Sequence, residues 1–134
     1  MLGDKVGSLV GKTTTGVLPA NGALPRFTTS GECAGSLAGA DVQMMATYAA
    51  EMNVDGSLYG ECPNQGLIMA ADGVATFRAS GVGRFTEDGG AKFRGVVYFQ
   101  TSAASLTDLN GKAYVYHWDV NAEGSATWDI WEWK

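Results

Sequence analysis

The side chains best suited to chemistry in this sequence are a carboxylate, a guanidinium and phenols placed within long apolar segments. Glu61 follows Tyr59 by two residues, so on a strand both share one face, while Arg78 and Tyr98 stand on the next two segments. If Glu61, Arg78 and Tyr98 converge inside a closed sheet, a buried ion pair would fix a ligand carbonyl or assist proton transfer. We predict these three as the catalytic group. On an outer face, Glu61 and Arg78 would instead form a cross-strand ion pair.

Apolar and polar residues on these three segments and on two further segments are the predicted ligand contacts. Methionine adapts to varied ligands, although methionine and tyrosine in such positions are also common core residues. We expect the ligand to contact Met44, Tyr48, Tyr59, Phe77, Gln100, Tyr116 and Trp118.

A second polar pair, His117 and Asp119, also shares one face of a strand. The carboxylate there would orient the imidazole and raise its pKa, unless both side chains lie at a solvated strand end.

The sequence carries no motif for a metal or a nucleotide. Gly7–Thr13 is one residue short of a phosphate-binding loop and continues into a strand-like segment, and Gly81–Gly83 lacks the third glycine of a dinucleotide fingerprint. The single histidine and two separated cysteines would need carboxylates to complete a zinc site. We therefore expect neither a metal nor a cofactor.

The elements that must position these residues are long antiparallel strands, most clearly between Asp72 and Thr101. Asp-Gly and Gly-Gly within Glu87–Gly90 supply the positive φ angles of a tight hairpin turn. Phe77 and Phe85 share one parity with small residues, and polar residues occupy the other, which is typical of strands. The glycines of Ser80–Gly83 indicate a bend in a curved sheet.

Turn signals of the Asp-Gly or Glu-Gly type recur along the chain at Asp55, Asp72, Asp88 and Glu123, at nearly regular spacing with one doubled interval. Long strands joined by short turns predict an antiparallel meander, and about eight strands close into an all-β, up-and-down barrel. Pro63 requires a bulge or break in its strand. The predicted strands are Lys5–Leu18, Arg26–Leu37, Asp41–Asn53, Ser57–Ala70, Val74–Thr86, Ala91–Thr101, Lys112–Val120 and Ser125–Lys134.

The segment Asp41–Asn53 is the one place where a helix competes. Met44, Met45, Tyr48 and Met52 fit helical spacing, whereas the strand pattern gives one continuous apolar face. We favour the strand because a turn signal follows directly.

The two cysteines are predicted to be free, buried thiols. Cys33 and Cys62 lie on strands separated by a third, which places them about 9.6 Å apart, whereas a disulfide needs Cα atoms within about 7 Å.

The end of the chain is aromatic on both faces. Trp128 and Ile130 have one parity and Trp131 and Trp133 the other, so we expect a second copy of the chain to cover the outer face and form a homo-oligomer.

Length and charge limit the remaining choices. Residues 1–134 form one predicted domain with a net charge of -5 and few basic residues, so neither nucleic acid nor a membrane is an expected partner. No apolar run approaches the roughly 18 residues of a membrane span, and the N-terminus lacks the apolar region of a signal peptide. We expect a soluble, cytoplasmic protein.

Gly81–Phe85, the strand segment Tyr98–Thr101 and the connection Leu106–Gly111 give the chain a resemblance to small bacterial barrels of the calycin-like type. The layout is similar to that of allene oxide cyclase and dirigent barrels. The resemblance implies a dry internal cavity for a hydrophobic, often unsaturated or phenolic molecule, with cyclisation or coupling in some members. It carries over no catalytic residue.

The sequence therefore predicts a barrel that binds a small hydrophobic molecule, because the small residues on the face of Phe77 and Phe85 would leave space inside. Isomerase or cyclase activity without a cofactor, a non-catalytic carrier, and an oligomeric structural barrel with a filled interior stay open as alternatives.

Overall fold

The computed structural model describes residues 2–134, which form a closed, eight-stranded antiparallel barrel in which every strand pairs with its neighbours in chain order. This confirms the predicted fold class, and each predicted strand is present with ends shifted by at most a few residues. The strands are β1 Leu2–Asn21, β2 Leu24–Leu37, β3 Ala40–Met52, β4 Leu58–Ala70, β5 Gly73–Phe85, β6 Ala91–Thr101, β7 Tyr114–Val120 and β8 Ser125–Trp133.

The barrel has two unlike ends. The upper end carries the β1–β2, β3–β4, β5–β6 and β7–β8 turns, and the lower end carries the β2–β3, β4–β5 and β6–β7 connections. The lower half of β1 closes the barrel against β8, where Gly7 pairs with Ile130 and Lys12 with Ser125. Beyond Lys12, β1 continues upward and pairs with β2 alone as far as Asn21.

The predicted turn signals are confirmed. Gly56 and Gly89 adopt φ angles of 84° and 91°, a left-handed conformation that glycine reaches without a steric penalty. In the β5–β6 turn, Thr86 and Gly90 form a backbone hydrogen bond of 2.8 Å that closes the hairpin. These local preferences fix where each strand reverses.

The helix alternative for residues 41–53 is wrong, because this segment is β3. Val42, Met44 and Ala50 are buried on the inner face, while the alternating Gln43 and Met45 are exposed. Burial of one face of a strand outweighs the helix propensity of alanine and methionine here.

A wide bulge interrupts β4 at Pro63, as predicted. Cys62 pairs with Ala79 and Gly66 with Phe77, so the residues between Cys62 and Gly66 lie opposite Arg78 alone. Proline lacks a backbone N–H and is tolerated where the ladder is already broken.

Aromatic side chains fill the barrel interior, and several of their rings lie against glycines on the inner face of the strands. The space for a Cβ at Gly66 is taken by the ring of Phe77, and a Cβ at Gly81 would stand 2.5 Å from Tyr116 Oη. The expected space around Phe77 is therefore largely filled, and the remaining inner cavity has a volume of about 50 Å³. The buried aromatic residues are Phe77, Phe93, Phe99, Tyr114, Tyr116, Trp118 and Trp128.

The connection from β6 to β7 closes the lower end. It contains a short 3₁₀ helix, Ala104–Leu109, whose Leu106 and Leu109 are buried against the barrel core. Asp72 holds this helix, because its carboxylate accepts hydrogen bonds from Ser105 Oγ at 2.6 Å and from Ser105 N–H at 2.9 Å.

The two cysteines are free and buried, as predicted. Cys33 lies on β2 and Cys62 on β4, with β3 between them. Burial raises the pKa of Cys33 to about 11, and burial also raises the pKa of Cys62.

Within residues 2–134, no helix has the length and apolar character needed to cross a membrane.

Candidate functional site

A cavity of about 390 Å³ opens at the upper end of the barrel, and we call it the mouth cavity. This volume lies within the range of small-molecule sites, whereas the inner cavity has room for only a few water molecules. The mouth cavity is defined by Thr13, Thr15, Phe27, Thr29, Tyr48, Ala50, Leu58, Phe85, Phe93, Val120 and the turn residues 89–91 and 121–124.

Two aromatic rings meet at the rim of the mouth cavity. Phe27 on β2 and Phe85 on β5 contact edge to face, with ring centroids 5.8 Å apart, although two strands separate them in the sheet. On the two intervening strands, Ala50 and Leu58 also line the cavity, and Ala50 pairs in register with Phe27. Phe85 keeps 49% of its surface exposed, so the pair presents aromatic surface to anything that enters the cavity.

The floor of the mouth cavity is an aromatic layer. Tyr48 and Phe93 line both cavities and contact edge to face at a centroid distance of 5.8 Å, so together they separate the mouth cavity from the inner one. Gly60 on β4 leaves space for Phe93, because a Cβ at Gly60 would lie 3.1 Å from its ring.

A chain of hydrogen-bonding groups connects the floor to the rim. Trp118 Nε1 donates to Tyr48 Oη at 3.1 Å, Tyr48 also hydrogen-bonds with Thr29, and Thr29 Oγ1 lies 2.9 Å from Thr15 Oγ1. Among residues 2–134, Thr29 is the one polar residue classed as buried, and its hydroxyl is satisfied by these neighbours. The mouth cavity therefore offers hydroxyl groups within an otherwise apolar wall.

The hydroxyl of Tyr48 stays protonated at neutral pH. Burial raises the pKa of Tyr48 above its ordinary value of 10, and the hydrogen bonds from Trp118 and Thr29 offset only part of that rise. A protonated phenol donates a hydrogen bond, so Tyr48 can serve a carbonyl or hydroxyl oxygen of a ligand.

Five predicted ligand contacts lie on the inner side of the barrel: Met44, Tyr48, Phe77, Tyr116 and Trp118 all line the inner cavity. Tyr48 also reaches the mouth cavity. Tyr116 Oη has no hydrogen-bond partner among residues 2–134, and burial raises the pKa of Tyr116.

The predicted catalytic residues do not converge inside the barrel. Glu61, Arg78 and Tyr98 are all exposed on its outer face, because the inward parity of β4, β5 and β6 belongs to residues such as Cys62 and Phe77. They do come together on the outside, where all three line a groove of about 310 Å³ beside the β4 bulge.

The alternative of an outer ion pair between Glu61 and Arg78 is also absent. Glu61 pairs in register with Ser80, whereas Arg78 lies opposite the bulge, so the two side chains are offset along the strands. Neither has an ion-pair or hydrogen-bond partner within the part of the chain that the structure describes.

The remaining predicted contacts, Tyr59 and Gln100, also point outward. Tyr59 is exposed beside Val82, and Gln100 lines an outer groove of about 290 Å³ with Arg78 and Tyr98. Their inner neighbours are Gly60 and Phe99, so each side chain misses the barrel interior by one residue along its strand.

Asp119 does not orient His117. Arg94 Nη1 donates to the Asp119 carboxylate at 2.7 Å, and the His117 ring instead packs against Trp131 with centroids 4.8 Å apart. Lys5 Nζ lies 5.6 Å from the centre of the Trp131 ring. The outer face of Trp131 is thus partly covered from within the chain, while Trp133 remains 54% exposed.

The sequence prediction missed Thr15, Phe27, Thr29 and Phe93. Phe27 and Thr29 share the parity of the buried Cys33 and Leu37, which is a signal that they face inward. Nothing in the sequence indicates that Phe27 meets Phe85 from a distant strand.

Among residues 2–134, no three or more histidine, cysteine, aspartate or glutamate side chains are grouped to hold a metal ion.

Comparison with known proteins supports the fold. The conserved protein RPA1785 of Rhodopseudomonas palustris, described as of unknown function, is 12% identical with a TM-score of 0.80 and covers 98% of this chain and 97% of its own. A protein of unknown function from Clostridium acetobutylicum ATCC 824 is 11% identical with a TM-score of 0.77 over 98% of each chain. No family model and no curated protein matches the sequence. These likenesses show the barrel fold.

Proposed function

We propose that this barrel binds a small, uncharged, largely apolar molecule in the mouth cavity. The single observation that carries the proposal is the cavity of about 390 Å³ whose apolar wall contains the linked hydroxyls of Thr15, Thr29 and Tyr48. Sites of this kind combine apolar surface for affinity with a few placed polar groups for orientation.

The lining residues indicate the chemistry of the ligand. Phe27, Phe85 and Phe93 offer ring faces and edges for a flat or unsaturated body, and Tyr48 offers a donor at the floor. Glu123 is the one residue of the described lining that is charged at neutral pH, and it lies in the β7–β8 turn at the rim. A neutral lactone, enone, phenol or terpenoid fits this arrangement better than an ion does.

Isomerisation or cyclisation of such a ligand is the second part of the proposal. A hydrogen bond from Tyr48 to a ligand carbonyl would stabilise charge that develops on that oxygen. The resemblance to allene oxide cyclase and other calycin-like barrels is what suggests cyclisation as the reaction. The shape of the cavity would select the product. With Glu61, Arg78 and Tyr98 outside, Tyr48 is the residue on which this activity would depend.

The outer grooves are less suitable sites. The largest, about 550 Å³, includes Lys12 and Asp119, and both already have partners: Lys12 Nζ donates to Ser125 Oγ at 2.8 Å, and Asp119 is bonded to Arg94. It lies on the outer surface, where water competes for every polar contact.

The experiment is a thermal-shift screen with neutral lactones, phenols, terpenoids and fatty acids, after native mass spectrometry of the purified protein. A ligand that binds only the folded state raises the melting temperature, and the stabilisation grows with the logarithm of the ligand concentration over the dissociation constant. Ala91→Phe fills the mouth cavity and should abolish the shift, whereas Ala34→Phe on the outer face of β2 should preserve it. An equal shift in both variants would place the binding elsewhere and contradict the proposal.

A structural barrel with a filled interior is the second candidate. The observation in its favour is the inner cavity of only about 50 Å³, since the core aromatics leave no room for a ligand at the barrel centre. Failure of every ligand class to stabilise the protein would favour this candidate.

A further inference from the structure

The upper half of β1 is an open sheet edge. The ladder between β1 and β8 ends where Lys12 pairs with Ser125, while β1 continues beside β2 to Asn21. One side of the strand above Thr13 therefore has no neighbouring strand among the described residues. Exposed edges of this kind pair readily with another strand.

The direction of the free backbone groups follows from one hydrogen bond. Thr13 N–H donates to Gly124 O at 2.8 Å, so the backbone groups of Thr13 point toward the β8 side. β1 is regular against β2 from Gly7 to Leu18, and donors alternate sides along a regular strand. The N–H and C=O groups of Thr15 and Val17 therefore point to the open edge.

The stretch of free backbone N–H groups ends at a definite residue in each direction along β1. Below them, Thr13 N–H is already bonded to Gly124, and above them Pro19 has no N–H and lies at the irregularity between Leu18 and Asn21. Only Thr15 and Val17 can donate to a new neighbour along this stretch.

We infer that this edge pairs with the same edge of a second copy, antiparallel about a two-fold axis at Gly16. In this register Thr15 lies opposite Val17 of the second copy, and the two residues exchange both of their backbone hydrogen bonds. By symmetry, Val17 of the first copy forms the same two bonds with Thr15 of the second. Every free donor and acceptor of Thr15 and Val17 is then used. A strand of unrelated sequence could also pair with this edge, but its free donors and acceptors would not be limited to two residues that match Thr15 and Val17.

Charge and exposure favour the second copy as occupant. Residues 13–25 contain no charged side chain, so two copies meet here without repulsion although the whole chain carries a net charge of -5. Natural edge strands are often protected by lysine or an inward-pointing charge, and this edge has neither. Val17 is 79% exposed, which a neighbouring strand would reduce.

The pairing also extends the mouth cavity. Thr15 lines that cavity, and Val17 has the same parity, so Val17 of the second copy would stand beside Thr15 on the cavity side. The second copy thus contributes an apolar residue to the rim of the proposed binding site. The inferred pairing itself depends only on the backbone and stands without a ligand.

The first test is sedimentation velocity across a concentration series. The wild-type chain should form a dimer, and Val17→Pro should weaken it by at least about tenfold, because each copy loses a donor that faces only the open edge. Val17→Thr keeps the N–H and should retain the dimer. A wild-type monomer at every concentration, or a dimer that Val17→Pro leaves intact, overturns the inference.

A second test measures the register and does not depend on the folding of the proline variant. Gly16 of each copy would be about 4.5 Å apart at Cα, within disulfide range, and a Cβ at Gly16 makes only ordinary contact at 3.6 Å. Gly16→Cys should therefore give an oxidised, covalent dimer. Thr14→Cys should not, since its two copies are offset along the strands. Equal cross-linking of both variants overturns the register.

Discussion

The ring of Phe77 on β5 lies directly against Gly66 on β4 and fills the place that a Cβ would take at position 66. The same relationship recurs between Tyr116 and Gly81. The high glycine content is thus partly a packing requirement, because a narrow barrel has room for large rings only where the facing strand residues have no side chain.

Gly66→Ala should therefore destabilise the barrel by about 1–3 kcal/mol through overpacking. Urea unfolding measures this cost, and Gly31→Ala is the matched control, since a Cβ there meets its nearest atom at 3.5 Å. Adding Phe77→Leu to Gly66→Ala should give a smaller total cost than the sum of the two single changes. Additive costs would show that the ring does not limit position 66.

Tyr48→Phe should cost about 1–3 kcal/mol, because Trp118 Nε1–H then loses its acceptor inside the barrel. Tyr98→Phe is the control, since that hydroxyl is exposed on the outer face and has no partner among the described residues. We expect the control to change the unfolding free energy by no more than about 0.5 kcal/mol. Equal effects would contradict the hydrogen-bond chain.

Acid should weaken the lower end of the barrel through Asp72. The side-chain and backbone hydrogen bonds from Ser105 hold the pKa of Asp72 below its ordinary value, so the carboxylate stabilises the fold above about pH 4, and this stability is lost as the pH falls through the lowered pKa. The wild-type chain should lose more unfolding free energy between pH 7 and pH 3 than Asp72→Asn does.

Asp41→Asn serves as the control for this comparison, since Asp41 is exposed and has no bonded partner within residues 2–134. It should follow the wild-type acid profile. An identical profile for Asp72→Asn would mean that the contact with Ser105 does not hold in solution.

The thiols should react slowly in the folded protein. Burial raises the pKa of Cys33 from 9.0 to about 11, which lowers its thiolate fraction at pH 8 by about a hundredfold. A disulfide-exchange reagent should therefore label the native chain at least about a hundred times more slowly than the unfolded chain. Ala34→Cys, the exposed neighbour, should add one rapidly labelled thiol; rapid labelling of the wild type would contradict the burial of Cys33 and Cys62.

The strands were predictable because their ends depend on local chemistry. Asp-Gly and Glu-Gly turns fix the reversals between strands, and Pro63 marks the bulge, so neighbouring residues alone determine these features. The competition between helix and strand at Asp41–Asn53 was resolved by burial of Met44 and its neighbours, which the apolar alternation already indicated.

The candidate site was less predictable because it depends on which parity faces inward. On β4, the inward residues Gly60 and Cys62 are small, and the larger Tyr59 and Glu61 face outward, so side-chain size gives a misleading signal. A glycine faces inward at these positions because a ring from another strand fills the space beside it. The sequence around the glycine does not reveal which ring that is.

The most direct test of the proposed binding site is the indole N–H resonance of Trp118 during titration with the best ligand from the screen. Trp118 donates to Tyr48 at the floor of the mouth cavity, whereas Trp131 and Trp133 lie on the outer face and serve as internal controls. The proposal predicts a saturable shift of the Trp118 signal with little change in the two outer indoles. Saturable shifts of Trp131 or Trp133 with an unchanged Trp118 would contradict it.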